Sequence, residues 1–264
     1  KGAVAPSWRE RLDQFTLETD RAIDLLSALL PECRPLDDAE TLTFLHGTIS
    51  TKRHKVAVPA TPMFLDAFIA DSALTGGLEP MLGNAHLRIV SIQGFPPASE
   101  PGFLNALNEL GFPYRWTTRL IPLDKAVATR EIAKYRRQWF AKRKSIAAIL
   151  KETLFNEQSV LIDADADNKA ADADAALQEL GADDVAFGYL TCSIVVSDAD
   201  AGVADLRAKE IERVLNGLGF VVIRESVNAV DAWLGSLPGQ LYANIRQPLI
   251  HTLNVAHLAP WSAV

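Results

Sequence analysis

Cysteine is almost missing: Cys33 and Cys192 are the only two in 264 residues, far apart and outside any C-x-x-C pair. That excludes a disulfide framework and a cysteine-built zinc cage, and it suits a reducing compartment. Long apolar runs are missing too. The longest stretch without Lys, Arg, Asp or Glu covers 247–264, where His251, Asn254, His257 and Pro260 interrupt it. A spanning helix is therefore not expected, and membrane contact would be peripheral. No basic, apolar leader with a small-residue cleavage site opens the sequence, and the first residue is Lys1 rather than Met, so a fragment of a longer protein is expected.

The usual catalytic signatures are also absent. A phosphate-binding loop needs a glycine turn to cradle phosphates and a lysine to reach them, written G-x-x-x-x-G-K-[ST]. Gly76, Gly77 and Gly83 lack that lysine, and Lys209 is the last lysine in the chain. His251 and His257 lie six apart without the acid of H-E-x-x-H, and Ser236 between Gly235 and Gly239 is not a nucleophile elbow. His46, His54 and His86 read as single packed or surface histidines. The run "DADADNKAADAD" places Asp163, Asp165 and Asp167 at the first calcium-loop positions, but Asn168 replaces the turn glycine and Asp174 the bidentate glutamate. A solvated linker whose aspartates favour the next helix start explains it better. No catalytic, cofactor-binding or metal-binding residue is assigned.

What remains describes a globular chain. Hydrophobic residues make up 48% and charged residues 22%, enough for a real core. Apolar spacing predicts one or two opening helices after Ser7, two short strands around a turn in 41–58, a helix over 62–70 and a loop over 75–84. Then come a strand "HLRIVSIQGF", a helix over 100–111 and a strand "YRWTTRLIPL". After helices over 124–155 and 167–180, a strand "VAFGYLTCSIVV", a helix over 200–218 and a strand "GFVVIRES" repeat the pattern. Two strand-helix-strand units predict an α+β fold, ferredoxin-like, with a mixed or antiparallel sheet, opening helices and a long basic helix. The expected subdivision is 1–80, a core over 81–235, and a linker over 236–264.

The long helix holds the chain's charge anomaly. Between Arg119 and Lys151 there are ten basic residues and two acidic ones, in a chain of net charge -7. Ile132, Tyr135, Trp139, Ile146 and Leu150 form an apolar stripe, while Arg130, Arg137, Lys144 and Lys151 line nearly the opposite face with Lys134 beside them. The plainest reading is a solvated face on a core-packed helix. Next come an acidic protein partner or an anionic membrane surface. Nucleic acid ranks third, with helix 124–155 as its binding element and Tyr135, Trp139 and Phe140 as stacking platforms.

Three stretches, "RWTTRLIPLDKAVATREIAKYRRQWFAKRKS", "AFGYLTCSIVVSDAD" and "WLGSLPGQLYANIRQPLIHTLNVAHLAP", resemble in that order the amino-terminal domain of the TrbE/CagE family of type IV secretion and conjugal transfer ATPases. The resemblance is closest to the TrbE type. It runs from about 114 to the end and only loosely over the first hundred residues. Leu237, Pro238, Gly239, Asn244, Arg246, Asn254 and Ala256 are its most specific part. The resemblance implies a docking and assembly domain without catalysis of its own, followed in the parent by a RecA-like domain that uses ATP and Mg. It further implies a bacterial cytoplasmic location at the inner membrane and a hexameric parent. Implied partners are inner-membrane and assembly-factor subunits and other secretion ATPases, with DNA the less favoured partner.

Overall fold

The computed structural model describes residues 7–30, 32–96, 99–135, 164–182 and 184–258, and, within these, side chains other than those of 164–171. The chain divides into two compact units, Lys1–Ser72 and Ala73–Val264.

In the first unit, α1 (Trp8–Leu29) is one continuous helix whose capping box pairs the Ser7 hydroxyl with the Glu10 amide and the Glu10 carboxylate with the Ser7 amide. None of its residues is buried. Helix α2 (Asp38–Ile49) starts from a second capping box, Asp37 with Glu40, and Arg34 grips the Glu40 carboxylate at 2.6 and 2.7 Å. The two strands expected over 41–58 are thus corrected: 38–49 is helix and the rest carries no strand. Threonines and isoleucine in "TLTF" and "GTIS" imitate a strand, but the cap fixes the helix start and Leu42 and His46, four apart, are its buried face. The helix expected over 62–70 shrinks to α3 (Asp66–Ile69). Leu42, Val56 and Ile69 form the small core.

The second unit is built on one antiparallel sheet. Two-residue strands β1 (Leu74–Thr75) and β2 (Met81–Leu82) pair as a hairpin in the stretch expected to be loop. Strand β3 (Ala85–Gly94) pairs with β5 (Phe187–Asp198), which pairs on its other edge with β4 (Arg115–Pro122). Strand β6 (Val221–Arg224) adds to β3 and β7 (Leu249–His251) to β5. The order β6-β3-β5-β4 is that of two interleaved strand-crossover-strand units, the ferredoxin-like arrangement.

The second crossover is α6 (Ala201–Gly217), capped by Asp200, which buries Ala204, Ala208, Ile211 and Leu215 along one face. The first, expected as a helix over 100–111, is only a 3-10 helix at Asn105–Glu109. Gly102, left-handed at φ 74°, interrupts a helix at its start, and Gly111 and Pro113 close the stretch at its end. Both crossovers cover the face bearing Val90, Ile92, Leu190, Cys192, Ile194 and Val196, each at most 2% exposed. Between β4 and β5, helix α4 begins at 125 and is helical through 135, and α5 (Ala164–Gly181) follows. They share a satellite core of Ala128, Ile132, Ala173, Leu180 and Phe187. Because α5 already includes Asp165 and Asp167, those aspartates sit in the helix and not in the linker ahead of it.

Arg88, 5% exposed on β3, is satisfied by Asp205 at 2.7 Å, Glu79 at 3.0 Å and the Leu87 carbonyl at 2.9 Å. Arg224 forks onto Glu212 with two 2.9 Å bonds and also reaches Asp205 at 3.4 Å. The Arg88 hydrogen bond holds the Asp205 carboxyl below its ordinary value of 3.8, against the opposing effect of burial. A depressed folded pKa means stability that is complete above the unfolded value and lost as pH falls through the folded one. Asp205→Asn is therefore expected to destabilise the chain at neutral pH, with its difference from wild type shrinking below about pH 4 in urea unfolding curves.

Candidate functional site

The opposite face of the sheet alternates differently. Its central row, Ser91, Ser193 and Thr117, runs across three strands in register, with Arg119 facing Thr191 one step along. A polar row in a buried sheet needs hydrogen-bonding cover. That cover is α7 (Ala229–Gly235) together with the segment 236–246.

Each contact is specific. Arg115 donates to the Ser236 hydroxyl at 2.5 Å and lies 6.0 Å from the buried Trp233 ring. Arg119 donates to Asn244 Oδ1 at 2.9 Å, and the Thr191 hydroxyl donates to the Arg246 carbonyl at 3.0 Å. Arg246 forks onto Glu225 at 2.9 and 3.0 Å, where the carboxylate side chain is only 2% exposed. Those two bonds raise the guanidinium further above its ordinary pKa, opposed by burial. Charge-assisted bidentate pairing is the strongest contact available to such a group.

Glycine makes the approach feasible. A side chain on Gly235 would place its Cβ 2.3 Å from the Ala243 carbonyl oxygen, and Gly239 closes the Leu-Pro-Gly turn at φ 77°. The loop tip then projects, with Leu241 71% and Tyr242 93% exposed. Below the tip lies a cleft of about 340 Å³ lined by Asp231, Leu234, Gln240, Tyr242 and Asn244.

The motif residues do not form one cluster. Asn244 and Arg246 anchor to the polar face, whereas Asn254 on α8 (Thr252–Leu258) accepts from the Ser99 hydroxyl at 3.0 Å. Ile250 and Leu258 enter the core on the first face, so much of the stretch expected as linker is packed structure. The Ser99 hydroxyl also meets His257 Nδ1 at 3.0 Å, and His251 packs edge-on against Phe187. Burial lowers the His251 pKa, and burial pushes the Cys192 thiol up to about 12, which leaves it inert.

Of the basic ridge, Arg130 and Lys134 are exposed on α4, Lys134 being 3.9 Å from Glu131. Tyr135, assigned to the apolar stripe, is 42% exposed. Arg137, Lys144 and Lys151 lie outside the described residues. Glu225, Arg115 and Arg119 escape sequence reasoning, because their partners lie 21, 121 and 125 positions away. Glu225 carries one weak signal, an acid ending the apolar strand "GFVVIRE".

Residues 140–246 match the family described as CagE, TrbE, VirB family, component of type IV transporter system. A probable conjugal transfer protein of the TrbE type from Sinorhizobium fredii is 38% identical over 225 residues, 85% of this chain and 33% of that protein. The conjugal transfer protein TrbE of Rhizobium radiobacter is 36% identical over 225 residues, 85% of this chain and 27% of its own length. The chain thus spans a third or less of these curated relatives. Among the described residues no helix is long and apolar enough to cross a membrane.

Arg246→Ala leaves Glu225 buried without its partner and is expected to cost about 3–5 kcal/mol in denaturant unfolding. Gly235→Ala forces loop 236–246 off the sheet and is expected to cost about 1–3 kcal/mol in the same measurement, with faster proteolysis near Tyr242. The match over 140–246 and the similarity over 85% of the sequence to two conjugal transfer proteins of the TrbE type assign the chain to the CagE/TrbE/VirB family of type IV transporter components.

Proposed function

We propose that this chain is the docking and assembly domain of a conjugal transfer ATPase, acting through its surface and not through chemistry of its own. The observation that carries this reading is the use made of the family motif. Its polar side chains, Asn244 and Arg246, are spent on internal anchoring to Arg119 and Glu225. No phosphate-binding sequence occurs in these 264 residues, and the relatives are much longer, since the chain spans only 33% and 27% of them. ATP and Mg binding and the energising of DNA or protein transfer accordingly belong to the rest of the parent, in a hexameric assembly.

The docking element in this reading is the basic ridge that begins at Arg130 and Lys134, both exposed, and continues in sequence through Arg137, Lys144 and Lys151. Such a ridge suits an acidic subunit of the transfer channel or the anionic inner leaflet, where each Lys or Arg contributes roughly 1 kcal/mol. In this reading the protein sits at the cytoplasmic side of the inner membrane, peripherally attached.

Charge reversal tests it. Arg137→Glu with Lys144→Glu is expected to lower recovery of the chain with the inner-membrane fraction of cells carrying the transfer system, with thermal stability unchanged. Undiminished recovery overturns the assignment of the ridge. Salt-sensitive binding of single-stranded DNA, abolished by the same reversal, would assign it to nucleic acid instead.

A further inference from the structure

The first unit brings together three side chains that are far apart in sequence or read singly there. His46, in the last turn of α2, is 2% exposed, and its Nε2 is buried without an aligned hydrogen bond. Asp71 Oδ2 lies 3.2 Å from that nitrogen. His54, exposed in the segment after α2, has its ring 4.3 Å from the His46 ring at a tilt of 58°. One donor atom from each of His46, His54 and Asp71 lies within 4.8 Å of the others.

We propose that His46, His54 and Asp71 form a binding site for a divalent cation of the zinc class. Two neutral imidazoles and one carboxylate are the donors that borderline metals select, whereas calcium and magnesium take oxygen ligands. The spacing agrees. Tetrahedral zinc with bonds of about 2.0–2.1 Å sets neighbouring donors about 3.3 Å apart, and His46 Nε2 to Asp71 Oδ2 is 3.2 Å already. His54, being exposed, can close the remaining gap by rotating its ring.

The carboxylate is also oriented as a ligand should be. Its Oδ1 accepts from the Ser50 hydroxyl and, at 3.2 Å, from the Ser72 hydroxyl, which turns Oδ2 toward the histidines. Outer hydrogen bonds of this kind fix first-sphere ligands. Lys52 Nζ, 3.3 Å from Oδ2, also donates to the Asp71 carbonyl at 3.1 Å, and its side chain is 60% exposed. The ammonium can therefore swing away when a cation arrives. A simple histidine-carboxylate pair would align the ring N–H with the oxygen and would have no use for His54.

The physical consequence is a clip. The unit's core cluster has three buried apolar residues, Leu42, Val56 and Ile69, and a cation would tie the end of α2 to the segment after α3 where hydrophobic burial is thin.

The 264-residue chain, stripped with a chelator, is to be titrated with zinc chloride by calorimetry, alongside His54→Ala, Asp71→Asn and Ser50→Ala. The expected result is one saturable site in wild type, at least tenfold weaker in His54→Ala and Asp71→Asn, and about tenfold weaker in Ser50→Ala. His54 is exposed, so its variant should keep the wild-type circular dichroism spectrum. His86, His251 and His257 remain in every variant, and the difference between wild type and His54→Ala isolates this site. Zinc should also raise the melting temperature of wild type but not of His54→Ala. No saturable binding in wild type, or His54→Ala binding as tightly as wild type, overturns the proposal.

Discussion

A carboxylate that is almost wholly buried has to be paired, and Glu225 sets that requirement at the end of β6. Arg246 meets it with two parallel bonds. Once Arg246 is fixed, its carbonyl falls within reach of Thr191, and Asn244 meets Arg119 on the neighbouring strand. The chain that follows is delivered to the edge of β5, where Leu249–His251 forms the last strand. From there α8 sends Leu258 into the core on the other face. One ion pair therefore determines where the family motif lies, how the sheet is completed and where α8 packs.

The two faces of the sheet follow from what covers them. Helix α6 has satisfied its own backbone groups, so it offers the sheet only side chains, and the strand positions beneath it are apolar apart from Arg88, which meets Asp205. The segment 236–246 is irregular and its amides and carbonyls are not paired by a helix or strand ladder, so the positions beneath it are Ser, Thr and Arg. Gly235 lets that segment come close enough for those bonds to form. Anchoring of this kind leaves the tip at Leu241 and Tyr242 exposed on a fixed base.

Charge is distributed by the same logic. The acidic excess of the chain is partly consumed inside it, where Asp205, Glu212 and Glu79 satisfy Arg88 and Arg224. The basic excess around α4 instead begins at the surface. Charges that meet partners within the fold support packing, while those left on a ridge remain available to another molecule.

Much of this is written in local patterns. The apolar runs of β3 and β5, the four-three-four spacing of α6 and the order of the elements all identify the α+β ferredoxin-like class, because periodicity is a property of neighbouring residues. The Ser7–Glu10 box likewise marks the start of α1. The threonine-rich stretch after Asp38 misleads, because its β-branched residues outweigh a capping box that is equally present in the sequence. The sequence by itself determined the long strands of the central sheet, α6, their order and the placement of charge along the chain, but not α2, the β1–β2 hairpin, the short first crossover or the packed stretch after 247. Only the tertiary structure decided that Arg246 meets Glu225, that the stretch after 236 is split between two faces, and that His46, His54 and Asp71 share one corner. Those are distances between residues far apart in the chain, and local pattern does not encode them.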